Sequence, residues 1–102
     1  MKIAVTAKGS GLGAWLDPNF ESALQVVIVD DNDRFTSFQP ALLENIGKPG
    51  SVARRVVEEG VSVLVTGSIS EEDEEILEKA SVVISLAESG SVLELVEKAR
   101  HS

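Results

Sequence analysis

Apolar positions in this chain fall into short runs in the first half and into a regular alternation of runs and stripes in the second. Residues 2–7, KIAVTA, set Ile3 and Val5 against Ala4 and predict a first strand. Residues 24–30, LQVVIVD, are β-branched and nearly continuous, which predicts a strand covered on both faces. Residues 31–34, DNDR, are turn chemistry, and FTSF at 35–38 alternates like the returning strand of a hairpin. Residues 40–47 hold Leu42, Leu43 and Ile46, enough for one helical turn.

Beyond Pro49 the grammar is cleaner. VARRVVEEG reads as a helix capped by Ser51 and stopped by Gly60. VSVLVT, residues 61–66, reads as a buried strand. Ser70 and Asp73 resemble a capping box ahead of EEDEEILEKA, whose acids suit the positive end of a helix dipole. Residues 82–86 read as a third buried strand. The final helix, SVLELVEKAR, has Ser91 or Ser89 as its cap and an apolar stripe of Val92, Leu95, Val96 and Ala99. Strand–loop–helix thus occurs twice in succession, at 61–80 and 82–100.

The resulting order is β-β-β-α-β-α-β-α. Its second half requires parallel strands with right-handed crossovers, and its hairpin requires an antiparallel pair. The expected fold is α/β, a mixed sheet of about five strands with helices packed on it. At 102 residues, one domain over 1–102 is expected.

Composition removes several functions. The formal net charge of -8 argues against nucleic acid and against an anionic membrane surface. No apolar run approaches the ~20 residues of a membrane span, and Met1-Lys2 leads straight into strand sequence, so a cytoplasmic location is expected. There is no cysteine, so thiolate ligands and a cysteine nucleophile are absent. The single histidine, His101, lies in the terminal tail, which rules out a Ser–His–Asp arrangement.

The stretch KGSGLGAWLDPNF, residues 8–20, follows the first strand. Gly9, Gly11 and Ala14 fit G-x-G-x-x-[GA], a dinucleotide fingerprint. That fingerprint must open a helix, whose N-terminus holds the pyrophosphate. Pro18 stands in the middle of the following segment, and too few residues remain for a helical crossover. A nucleotide site is therefore not expected. Trp15, the only tryptophan, has two readings: it packs the loop onto the domain, or it offers a stacking wall to a ligand or partner.

Several pieces together resemble a known family. MKIAV, a Gly-rich loop, Asp17-Pro18-Asn19-Phe20 with Ala23 before a strand ending Val29-Asp30, EGVSVLVTGSI at 59–69, and Ser89-Gly90-Ser91-Val92 before a terminal helix are similar, in order and spacing, to the dinitrogenase iron–molybdenum cofactor biosynthesis family. That family includes NifX and the C-terminal domain of NifB. The resemblance implies a ribonuclease-H-like three-layer domain. It implies a non-enzymatic binding or carrier function for an iron–molybdenum cofactor or iron–sulfur precursor. The family usually carries S-P-H-F-G-R in its loop, with the histidine a candidate cluster ligand. Here Asn19 stands at that histidine, and Glu21-Ser22 at the Gly-Arg pair. A cluster favours thiolate or imidazole ligands, so a divergent carrier with metal binding weakened or lost is expected.

In such a sheet the loops at the C-terminal ends of the parallel strands converge. The candidate ligand-binding residues are Lys8, Gly9, Gly11, Trp15, Asn19, Thr66, Gly67, Ser68, Ser89 and Gly90. Two helix N-termini there give a modest site for a small anion or metabolite, the alternative to cluster carriage. A protein partner at the Trp15 loop is a further alternative. Asp30, Asp31 and Asp33 lack the glycine and distal glutamate of a calcium loop and read as a solvated turn.

Overall fold

The computed structural model describes residues 1–101. Among them are β1 (Ile3–Ala7), β2 (Gln25–Val29), β3 (Phe35–Phe38), a 3₁₀ turn (Pro40–Leu42), α1 (Ser51–Glu58), β4 (Val63–Thr66), α2 (Glu71–Lys79), β5 (Val83–Leu86) and α3 (Val92–Arg100). The order of strands and α-helices is the one that the apolar pattern predicts. The strands form one sheet in the order β3-β2-β1-β4-β5. β1–β2 and β2–β3 are antiparallel, while β1–β4 and β4–β5 are parallel.

The alternation of each strand divides the core in two. Ala4, Val26, Ile28 and Leu64 point to the face that meets Val52, Ala53 and Val56 of α1 and Leu77 of α2. Ile3, Val5, Val27, Val29 and Val65 point to the other face, against Val92, Leu95 and Val96 of α3. β1 is fully buried because it has a strand on each side and helices above and below. Each large aliphatic side chain removed from water here contributes about 1.5–3 kcal/mol. Arg100 fastens the end of α3 to the β2–β3 hairpin: Nη1 donates to Asp33 Oδ1 at 2.8 Å and Nη2 to the Asp30 carbonyl at 2.7 Å.

Three local expectations are corrected. β5 is mostly exposed rather than buried, with Val83 at 61% and Leu86 at 64%. It is an edge strand, and the one helix on its Val83 face, α3, lies over β1. Ser51 is not a cap but the first residue of α1. The cap position is Gly50, with φ 79° and no side-chain bond. That positive φ favours glycine, and a β-carbon there would also displace the Ile76 side-chain end 2.5 Å away. Finally, residues 61 and 62 precede β4 rather than belonging to it, although the Ser62 amide already bonds to the Lys2 carbonyl at 2.8 Å.

Candidate functional site

The C-terminal ends of β1 and β4 carry threonines that begin the site. Thr6 and Thr66 are both fully buried, with hydroxyl oxygens 2.8 Å apart. The Thr6 hydroxyl donates to the Asp17 carbonyl at 2.8 Å, and the Asp17 amide returns a bond to the Thr6 carbonyl at 2.9 Å. These contacts fix where the glycine-rich loop lands. The Asp17 side chain, only 5% exposed, then organises the next turn. Its Oδ1 accepts from the Asn19 amide at 3.0 Å and from Asn19 Nδ2 at 3.2 Å, and its Oδ2 accepts from the Leu24 amide at 3.1 Å. This is an Asx turn extended by one more bond.

Leu16 and Phe20 anchor the loop on opposite faces of the sheet. Leu16 packs in the cluster under α3, and Phe20 in the cluster under α1 and α2. Asp17, Pro18 and Asn19 therefore straddle the sheet edge. Gly67 is what lets them sit there. A β-carbon on it would lie 2.6 Å from Pro18 Cα and 2.8 Å from the Pro18 carbonyl oxygen, both backbone atoms. Ser68 Oγ donates to that same carbonyl at 2.9 Å.

The upstream part of the loop is stapled to α3. The Lys8 amide donates to the Trp15 carbonyl and the Leu16 amide to the Gly90 carbonyl, each at 2.9 Å. The Val92 amide donates to Ala14 at 2.9 Å and the Leu93 amide to Leu12 at 3.0 Å. Ser91 and Glu94 complete a reciprocal capping box, so Ser91 rather than Ser89 is the cap. Extended backbone at Trp15 and Leu16 sends adjacent side chains to opposite sides. Leu16 goes inward, and Trp15 is left 52% exposed. Leu16, not Trp15, is the residue that packs this loop onto the domain.

The α2 side differs. Ser70 Oγ accepts from the Asp73 amide at 3.2 Å and donates to Asp73 Oδ2 at 3.0 Å. Asp73 does not reach back to the Ser70 amide, so this cap is not reciprocal. A cleft of about 280 Å³ opens between α2 and the loop, lined by residues 19–22, residues 68–70 and Asp73. Glu21 stands at its mouth and also lines an adjoining cleft with Lys48 and Glu72. A side-chain hydrogen bond with Asp73, followed by partial burial and the charges of Asp73 and Glu72, pushes the Glu21 carboxyl up from 4.5 to about 7.

The expected site residues are thus distributed over three places. Asn19 and Ser68 meet at the α2 cleft, with Gly67 holding Pro18 beside them. Lys8, Gly9, Gly11 and Trp15 belong to the loop docked on α3, and Gly90, just before α3, accepts that loop's Leu16 amide. Ser89 lines a separate cleft of about 410 Å³ between β5 and α3. Thr66 is fully buried at the end of β4, against Thr6. Sequence reasoning misses Thr6, Asp17 and the Glu21–Asp73 pair. An aspartate two residues before an asparagine was the available signal for the turn; nothing local in the sequence signals the acid pair.

A mixed five-stranded sheet whose parallel strands end in one crowded loop edge defines an α/β domain organised around that edge. A family model for the dinitrogenase iron-molybdenum cofactor matches residues 1–102, and the chain belongs to that family. The apo form of the orange protein from Desulfovibrio gigas matches with a TM-score of 0.86 and 26% identity, covering 98% of this chain and 87% of that one. The NMR structure of a Thermotoga protein assigned as NifB matches with a TM-score of 0.83 and 20% identity, covering 99% and 88%. No curated protein matches. Membership implies binding or carriage of the iron–molybdenum cofactor or related precursors.

The residues at the loop edge do not fit direct ligation of such a cluster. The chain has no cysteine. The Asn19 side chain is turned to Asp17, and the groups around it are hydroxyls and carboxylates, poor partners for a soft, anionic cluster. His101 follows α3 at the end opposite its capping box, about 14 Å along the helix axis.

Proposed function

We propose that this chain is a non-enzymatic binding domain descended from cofactor carriers, in which direct ligation of metal at the loop edge has been lost. The observation that carries this reading is the chemistry of residues 19–21. Asn19 is held by Asp17, and Glu21 faces Asp73, where an anionic cluster would meet two carboxyl groups. In this reading the domain acts in the cytoplasm. The family resemblance supplies the test, because it names the residues that usually stand at these positions. Wild-type protein and the double variant Asn19→His, Glu21→Gly are each mixed anaerobically with isolated iron–molybdenum cofactor and desalted. The expected result is molybdenum and iron on the variant and neither on the wild type. Stoichiometric cofactor on the wild type would overturn the reading.

A second reading rests on Trp15. It is half-exposed on a loop pinned by main-chain bonds, and rigidly presented tryptophans are frequent anchors of protein interfaces. Trp15→Ala then abolishes partner binding while changing stability by no more than about 0.5 kcal/mol. No comparable observation favours a small anion. The first amides of α3 are already bonded to Leu12, Ala14 and Ser91, and the first turn of α2 carries Glu71, Glu72, Asp73 and Glu74.

A further inference from the structure

The two edges of the sheet are finished differently. β3 is preceded by Arg34 and followed by Pro40, a charge and a ring that discourage further pairing. Arg55 also covers its Phe38 ring, 4.8 Å from the centroid. β5 has no such guard. Residues 81–87, SVVISLA, carry no charge, no proline and no glycine, a composition that favours strand pairing. The Val83 amide donates to the Ser62 carbonyl at 2.9 Å and the Ala87 amide to the Thr66 carbonyl at 3.0 Å. Odd positions of β5 therefore turn their backbone groups to β4, and Ile84 and Leu86 turn theirs outward from the edge. Val83 and Leu86 add exposed apolar side chains to the same short line.

We propose that β5 pairs antiparallel with β5 of a second copy of this chain, joining the two sheets across a two-fold axis at Ser85. Such a contact requires a surface that complements itself. With Ser85 opposite Ser85, Ile84 faces Leu86 of the second copy, and Leu86 faces its Ile84. Each of these pairs exchanges two hydrogen bonds, so every outward amide and carbonyl of Ile84 and Leu86 is used. Alternation puts Ile84 and Leu86 on one face, so each pair also sets two apolar side chains side by side. On the other face Val83 meets Ala87 of the second copy. Moving the axis to Ile84 would pair Val82 with Leu86, but the Val82 amide is already bonded to the Leu77 carbonyl at 2.9 Å. Moving it to Leu86 would set Ile84 against Glu88, beyond the end of the strand. The charges agree with the central register. None of the net charge of -8 lies on the pairing segment. Glu88, which makes no ion pair among the described residues, comes to lie by the start of the second copy's β5, close in sequence to its Lys79. Two four-residue strands bury less than the roughly 1,200 Å² of a stable interface, so the dimer is weak and depends on concentration. Ser85 also lines the cleft of about 410 Å³ between β5 and α3, so in the dimer the clefts of the two copies join across the axis. The contact does not depend on whether the chain carries a cluster.

The test is sedimentation velocity of the full chain from micromolar to millimolar protein, with amide hydrogen exchange at both ends of that range. The expected result is a reversible shift from monomer to dimer. The Ile84 and Leu86 amides exchange several-fold more slowly in the concentrated sample, whereas the Val83 and Ser85 amides, bonded to β4, do not change. Leu86→Lys alters only an exposed side chain, so it keeps the wild-type urea midpoint and stays monomeric throughout. Ser85→Cys reads the register, because the chain has no other thiol and a pair on the axis holds its Cα atoms about 4.5 Å apart, within disulfide reach. With oxidised glutathione Ser85→Cys gives a covalent dimer, and Val83→Cys, which faces Ala87, does not. Three results would overturn the proposal: a monomer at millimolar protein, a dimer unaffected by Leu86→Lys, or Val83→Cys crosslinking as fast as Ser85→Cys. In the first case the edge is left to an extended segment of another protein.

Discussion

The two strand–loop–helix units, β4–α2 and β5–α3, read alike in sequence and end differently in space. β4 lies inside the sheet and β5 at its edge. The N-terminus of α3 is closed: its first amides bond to the docked loop, to Ser91 Oγ and to the Ser91 carbonyl, and its cap is reciprocal. The N-terminus of α2 is open, with a one-sided cap, a cleft and a buried carboxylate, Asp73, whose neighbour across the cleft is the Glu21 carboxyl. The difference comes from a third segment, residues 8–20. Its upstream half covers α3, and its downstream half passes α2 at a distance that leaves a cleft. Similar helix starts therefore do different chemistry because of what a distant loop does to each.

The largest expected effect comes from breaking the contact that sets this geometry. Gly67→Ala drives a β-carbon into Pro18 backbone, which cannot rotate away. Urea denaturation should show a loss of about 3 kcal/mol, the upper part of the range for overpacking. Amide shifts should move at residues 17–22 more than at residues 90–95.

The caps come next. Ser91→Ala should cost about 1 kcal/mol, the usual value of a lost cap. Ser70→Ala should cost more, about 2 kcal/mol, because it also strips the hydroxyl donor from Oδ2 of the buried Asp73 carboxylate. Equal losses in the two variants would show that the α2 end is not the strained one.

The smallest effect is the most diagnostic. Glu21 holds its proton up to about pH 7 in the folded protein, against 4.5 for an unhindered glutamate. Between these values the folded state binds more proton than the unfolded state, so stability falls as pH rises through that window. Asp73 and Glu72 on α2 face Glu21, as does Lys48 from the loop before α1. Glu21 is exposed, so screening keeps the change small. Urea midpoints measured across the window should decline in the wild type and decline less in Glu21→Gln.

Much of this fold is legible in the sequence because its signals are local. Alternation in KIAVTA and FTSF, the β-branched LQVVIVD and the stripe of α3 each report a periodicity that the chain cannot hide. The exposure of β5 is not legible, because an apolar run does not say whether its strand lies inside a sheet or at its edge. That depends on pairing between distant segments. Ser51 fits a cap by residue type, whereas the cap position belongs to Gly50. The site was the least legible part. Asn19 and Ser68 share a cleft through a contact fifty residues long in sequence, and the Glu21–Asp73 pair is similarly remote. Trp15 drew notice by composition, yet Leu16 beside it does the packing, since one step along extended backbone reverses the side chain.

The central claim is that this member of a metal-cofactor family offers neither thiolate nor imidazole to an iron cluster at its loop edge. The most direct measurement is iron content and visible absorption after anaerobic incubation of the full chain with ferrous iron and sulfide, followed by desalting. The expected result is a colourless protein free of iron. Stoichiometric iron with cluster absorption that survives desalting, and that disappears in Asn19→Ala, would contradict it.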